Sequence, residues 1–129
     1  MTRRGQPDRR AAERRGRWAE RLACLWLWLR GYRILGTRLR RPPIEIDILA
    51  RQGDTLVVVE VKRRPTLEAA MAALTPQAYR RLLAAADRLA RAEAWRRRGT
   101  ARSVAANARV DLIALAPGRW PRHIRDIRP

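Results

Sequence analysis

Ile44-Glu45-Ile46-Asp47-Ile48-Leu49, followed by Gln52-Gly53-Asp54 and then Leu56-Val57-Val58-Val59-Glu60-Val61-Lys62, is the stretch that decides the fold. The first run alternates β-branched and acidic residues at period two, the spacing that sends successive side chains to opposite faces of a strand. The second run is rich in valine, and Gly-Asp between them supplies turn chemistry, so the pair predicts a β-hairpin. Alternation puts Glu45 with Asp47, and Glu60 with Lys62. With Gly53-Asp54 as a two-residue loop, Gln52 pairs with Thr55, Asp47 lies opposite Glu60 and Glu45 lies opposite Lys62. A Gln52-Gly53 loop slides the pairing by two and keeps all four on one face; a three-residue loop separates the two pairs. The reverse face is then Ile44, Ile46, Ile48, Val57, Val59 and Val61, an apolar surface for a core.

Outward from the hairpin, the chain alternates helical and extended patterns. From Ala11 to Arg30, Trp18, Leu22, Leu25 and Leu29 recur at spacings of three and four with Trp26 beside them, which predicts a helix with that stripe buried and Gly31 as its C-cap. Trp28 falls off the stripe and is expected to be exposed; Glu20 flanks it. Gly31 to Leu39 reads as a strand, ended by Arg40-Arg41-Pro42-Pro43. After the hairpin, Thr66 and Glu68 open a short helical piece. Thr75-Pro76 then starts a long helix running to about Arg98, with Tyr79, Leu82, Leu83, Ala86 and Leu89 buried and Gly99 as its stop. Ala108 to Ala116 is a further strand, Pro117-Gly118 turns the chain, and the last residues add a short edge strand. The order α-β-β-β-α-β predicts an α/β fold, a central mixed β-sheet flanked by helices. Residues 1–10 read as a disordered basic arm and residues 11–129 as one domain.

Composition narrows the partners. Thirty basic residues against 12 acidic ones give 129 residues a net charge of +18, which repels itself in the compact state and calls for a polyanion. Nucleic acid comes first, an anionic membrane surface second. The single cysteine, Cys24, excludes an intramolecular disulfide and a Cys-built zinc site, and the single histidine, His123, argues against His-based metal or triad chemistry. No segment approaches the roughly 20 apolar residues of a membrane span: Leu22 to Leu29 is bounded by Arg21 and Arg30. The N-terminus lacks the apolar core of a signal peptide, which predicts a cytoplasmic protein.

Every basic residue except Lys62 is an arginine. An ammonium has a movable pKa, whereas a guanidinium is always charged, so a chain that meets its need for charge with Arg has kept one Lys beside Glu60. Two carboxylates set opposite each other repel unless a cation lies between them, and hard oxygen ligands on a rigid scaffold suit Mg²⁺ or Mn²⁺. With Lys62 alongside to orient or deprotonate water, Asp47 and Glu60 make a candidate phosphodiesterase site. The bland alternative is a surface Glu45–Lys62 cross-strand ion pair, worth less than ~1 kcal/mol.

This arrangement resembles the PD-(D/E)XK nuclease superfamily, here as Asp47, a hairpin, and Glu60-Val61-Lys62. More closely, the chain resembles the YraN-like family of uncharacterised bacterial proteins, which have an endonuclease-like domain similar to archaeal Holliday-junction resolvases. The matching pieces are Gly16-Arg17-Trp18-Ala19-Glu20, Gly31-Tyr32-Arg33-Ile34-Leu35, Glu45-Ile46-Asp47-Ile48, Val59-Glu60-Val61-Lys62-Arg63-Arg64 and Arg109-Val110-Asp111. The resemblance implies a restriction-endonuclease-like core, with Asp47 and Glu60 as metal ligands, Lys62 as the water-activating or charge-stabilising residue, and Glu20 as a further carboxylate from the first helix. It offers Gln77 as an accessory polar residue, with Glu45 nearby, and a two-fold homodimer by analogy. The chain departs from the family pattern at Ile44, where a glycine is usual.

Arg63 and Arg64 directly follow the proposed site, Arg80 and Arg81 come early in the next helix, and Arg40 and Arg41 precede the hairpin. These are the expected phosphate contacts, which fix position without reading sequence. Asp111 is expected to pair with an arginine in a structural role. The leading expectation is a Mg²⁺-dependent endonuclease acting on DNA, including branched or damaged duplexes. The alternatives are an inactive nucleic-acid-binding module of the same fold and a basic peripheral membrane protein anchored by its first helix and arm.

Overall fold

The computed structural model describes the backbone of residues 6–41, 44–96 and 107–128, and the side chains of residues 16–40, 44–92 and 107–128. In chain order the elements are α1 (Gln6–Leu29), β1 (Arg33–Arg41), β2 (Ile44–Gln52), β3 (Thr55–Arg63), α2 (Leu67–Ala72), α3 (Pro76–Arg96), β4 (Asn107–Leu115) and β5 (Arg122–Ile124). The expected hairpin is β2–β3, joined by the two-residue loop Gly53-Asp54, because Gln52 pairs with Thr55. Gly53 has φ of +57°, a conformation that costs glycine nothing at the first central position of such a loop.

Five strands form one sheet in the order β1-β2-β3-β4-β5. Neighbours are antiparallel except β3 and β4, which are parallel. A parallel pair needs a crossover, and α2 and α3 supply it. Thr66 caps α2 through its hydroxyl, which accepts from the Ala69 N–H, and Thr75 caps α3 by accepting from the Ala78 N–H. The helices cover both faces. On one, Ala19, Ala23 and Leu27 of α1 pack with Tyr32, Ile48, Ala50, Val57, Val59, Ile113 and Leu115. On the other, Leu82, Ala85 and Ala86 of α3 pack with Ile44, Ile46, Val58, Val110, Leu112 and Ile127.

Three expectations are corrected. Residues 6–10, read as part of a disordered arm, are helical, because α1 already runs from Gln6; residues 1–5 of that arm lie outside the described residues, as do Pro42, Pro43 and the Gly99 stop. The buried stripe of α1 is Ala19, Ala23 and Leu27, with Leu22 and Trp26 of the expected stripe half-buried against the same core; Trp18, 68% exposed, Leu25, 52%, and Leu29, 65%, lie outside it. The small Ala19 and Ala23 let the helix backbone approach the sheet closely, and Trp18, Leu25 and Leu29 are turned outward, together with Trp28 as expected. Finally, the hairpin does not present one continuous apolar face. Ile48 and Ala50 pack under α1 while Ile44 and Ile46 pack under α3, so β2 crosses from one face to the other at Asp47.

Asp111 of β4 is fully buried and ties the sheet to its edges. Its carboxylate accepts from the Tyr32 hydroxyl (3.0 Å), Arg109 Nε (3.0 Å) and the Asp126 N–H (2.9 Å), and lies 2.8 Å from His123 Nε2. Arg109 extends the network to the Tyr32 hydroxyl and to Gln52 Oε1 at the end of β2. Burial alone would raise the Asp111 pKa, but hydrogen bonds from His123, the Asp126 N–H and Arg109 outweigh it and hold the carboxyl below its ordinary range. The expected structural pairing with an arginine is thus present, and the single histidine is part of it. Removing one partner from a buried charge network strands the others. Asp111→Ala is expected to cost about 3–5 kcal/mol of stability, read as a lowered denaturant midpoint; an unchanged midpoint would show that the network is not a structural anchor.

Candidate active site

The ladder between β2 and β3 runs from Gln52–Thr55 to Ile48–Val59 and stops there. At the next position the Asp47 side chain takes over: its Oδ2 accepts from the Val61 N–H at 2.8 Å. A carboxylate has replaced a backbone carbonyl, and the two strands fork. On the other side of β2, Leu39 pairs with Ile46 and Thr37 with Ile48, which sets Arg38 at the level of Asp47. Arg38 has φ of +51°, a left-handed conformation that costs an ordinary residue roughly 1–2 kcal/mol. Both strands therefore change face at the same level, and Asp47 sits at the crossing.

Glu60 lies against Asp47. Burial, then the Asp47 charge, then a hydrogen bond between the two carboxyls push the Glu60 pKa up to about 8, with Lys62 acting in the opposite direction. Lys62 Nζ is 3.4 Å from Glu60 Oε1. Asp47, Glu60 and Lys62 form one contiguous, partly buried chain of charges, as expected from the hairpin. Glu45 does not join it. With the ladder ended at Val59, Glu45 is not opposite Lys62; it pairs across β1 with Arg40, at 3.9 Å in solvent.

Glu20 of α1 lines two cavities together with Asp47. Gly16, Ala19 and Glu20, at spacings of three and four on one helix face, line a cavity of about 390 Å³ together with Asp47, Val61, Arg63 and Arg64. A smaller cavity of about 190 Å³ runs from Glu20 and Asp47 past Arg38 to Arg40, Glu45 and Ile46. Glu20 is ion-paired with Arg38 at 2.5 Å. Among the described residues, no three His, Cys, Asp or Glu side chains gather closely enough to hold a metal ion unaided. Glu60 and Lys62 line neither cavity, and Asp47 is the residue that joins their side of the fork to the Glu20 side.

The remaining expected residues divide by position. Arg63 and Arg64 wall the larger cavity and Arg40 the smaller one. Arg80, Arg81 and Gln77 are exposed on α3 and lie outside both linings, and the Arg41 side chain is outside the described residues. Ile44 is buried in the α3-side core and lines neither cavity, so its side chain does not narrow the site. Two residues without an expected role also belong here. Arg38 holds Glu20, and no local sequence signal marks an arginine for positive φ. Gly16 lies inside α1, where glycine costs about 0.5–1 kcal/mol relative to alanine, although a Cβ there would meet nothing within 4 Å. Packing therefore does not require that glycine.

Residues 19–115 match the model of the uncharacterised protein family UPF0102. The chain belongs to the UPF0102 family. It is 50% identical over 116 residues to a UPF0102 protein of Caulobacter vibrioides, covering 90% of this chain and 87% of that relative. A UPF0102 protein of Brucella canis is 47% identical over 116 residues, covering 90% of this chain and 86% of the relative. The match takes in Glu20, Asp47, Glu60 and Lys62, so the fork and its charges fall inside the segment that defines UPF0102.

The carboxyl pair gives this UPF0102 chain a pH signature. Folded Glu60 keeps its proton up to about pH 8, whereas the unfolded chain loses it near 4.5. The folded state therefore binds more protons across that window, and stability must fall as pH rises through it. In chelator, the melting temperature should decline between those limits, and Glu60→Gln should flatten the decline. A Glu60→Gln profile that matches the wild type would mean the pair does not share a proton.

Proposed function

We propose that this chain is a divalent-metal-dependent nuclease with a restriction-endonuclease-like core of the PD-(D/E)XK type, hydrolysing phosphodiester bonds in DNA. The observation that carries the reading is the fork: it sets Asp47 against Glu60, with the Lys62 ammonium 3.4 Å from Glu60. A carboxyl pair in which burial and the neighbouring Asp47 charge raise the Glu60 pKa is a donor set that suits a hard cation such as Mg²⁺ or Mn²⁺. Asp47 and Glu60 are the residues to hold it, and Glu20 is the third carboxylate once it exchanges its Arg38 partner. Held by Asp47 and Glu60, such a cation would supply polarisation of the phosphodiester and a lowered pKa for the attacking water.

The chain's own groups divide the remaining work. Lys62 orients the attacking water or offsets charge on the phosphoryl oxygens, a task for a compact ammonium and not for a planar fork. Arg63 and Arg64, exposed on the cavity wall, hold the phosphate backbone without reading bases. The net charge of +18 draws DNA to the site despite the carboxyls of Asp47 and Glu60, through sequence-independent, salt-dependent attraction. One observation favours a second reading: Arg38 neutralises Glu20, as it would in a binding module that has lost turnover.

Nicking of supercoiled plasmid and of branched DNA in Mg²⁺ or Mn²⁺ separates them. Asp47→Asn and Lys62→Ala should each lower the rate by about 100-fold or more, the usual loss for a transition-state contact, and Lys62→Arg should not restore it. Cleavage that survives both substitutions would sink the nuclease mechanism. Tight DNA retention with no cleavage in any metal would establish the binding module.

A further inference from the structure

Next to the Asp47 cavity lies a slot of different chemistry. It is walled by Trp18 and Leu22 of α1, by Leu115 and Pro117 at the end of β4, and by Arg63 and Arg119 at its rim, with a volume of about 280 Å³. The lining is mostly apolar. For scale, an apolar cavity of roughly 150 Å³ accepts a benzene ring, so one planar heterocycle fits. The two cavities are contiguous, because Ala19 and Arg63 form part of both walls. The far wall is fixed by a turn in which the Arg119 N–H donates to the Ala116 carbonyl at 3.2 Å, with Gly118 at φ +69°.

Trp18 is a large aromatic left two-thirds exposed on a helix whose buried stripe is built of alanine and leucine. Its neighbours across the slot are apolar, while both rim charges are positive. That combination complements a flat apolar ring carrying an adjacent anion, which is the chemistry of a nucleotide. Aromatic side chains stack on any base, so such a slot tolerates sequence. A base inside a duplex reaches it only by leaving its stack, at a cost smallest for bases already unpaired.

Building on the nuclease reading, we propose that the Trp18 slot receives an unpaired base whose neighbouring phosphate lies in the Asp47 cavity. The substrate class is then DNA with unpaired bases beside the scissile bond. Arg63, common to both walls, bridges the stacked nucleotide and the reacting phosphate.

The test is binding without divalent metal, so that its outcome is independent of hydrolysis. Full-length protein is titrated into a duplex carrying a bulged 2-aminopurine and into the fully paired counterpart, reading anisotropy and 2-aminopurine fluorescence. The expected result is a preference of roughly tenfold for the bulged duplex, the scale of one base–aromatic stack, with quenching of the probe. Trp18→Ala should erase both the preference and the quenching. Trp28→Ala, which removes an exposed tryptophan outside the slot, should keep them. Asp47→Asn should keep the quenching even where cleavage is lost, so failure of the nuclease reading and failure of the slot are told apart. Equal affinity for the two duplexes, or quenching that persists in Trp18→Ala, overturns the proposal. So does self-association abolished by Trp18→Ala, or docking of Trp18 on anionic phosphatidylglycerol vesicles that the bulged duplex does not compete away.

Discussion

One substitution of partners organises this molecule: the Asp47 carboxylate receives the Val61 N–H in place of the next carbonyl of the β2–β3 ladder. A buried or half-buried N–H must find an acceptor, and a side chain that provides it lets two strands separate without leaving the donor unpaired. The separation is what creates space between β2 and β3 at the sheet's centre. It also lets β2 cross from the α1 face to the α3 face, so that Ile48 and Ile46 serve different cores. Without Asp47 in that role, the hairpin would remain paired and Glu60 would be one more residue on a flat strand.

The fork concentrates negative charge in a chain that has little of it. Of 12 acidic residues, Glu20, Glu45, Asp47 and Glu60 lie on or next to the same pair of cavities. Gathering like charges in a partly desolvated place opposes stability, and the raised Glu60 pKa is the direct expression of that opposition. Strain accompanies it in the left-handed backbone of Arg38. A perturbed carboxyl and a strained backbone at one locus are the features on which the nuclease proposal draws.

The hairpin was legible because its signals are local. Period-two alternation, a Gly-Asp turn and valine runs fix register over a few residues, and register brings Asp47, Glu60 and Lys62 together. Capping threonines at 66 and 75 announced α2 and α3 in the same way. The α1 face was read only in part, through Leu22 and Trp26, because the helical period suits two overlapping stripes and hydrophobic size favours the outer one. Trp18, Leu25 and Leu29 are more apolar than Ala19 and Ala23, yet the small pair faces the sheet, with Leu22, Trp26 and Leu27 packing alongside. The face crossing at Asp47 depends on Arg38 in β1, the neighbouring strand, and nothing in the sequence marks that coupling. The Asp111 network was equally hidden, since Tyr32, Gln52 and His123 are scattered along the chain and meet only in the folded sheet.

The central claim is that the fork places two carboxylates where a single divalent cation binds. Anomalous diffraction from crystals grown or soaked with Mn²⁺ tests it most directly. The account predicts one anomalous peak within coordinating distance of both the Asp47 and Glu60 side chains, and its loss in Asp47→Asn crystals. An empty fork at saturating Mn²⁺, or a peak bound elsewhere and indifferent to Asp47, would contradict it.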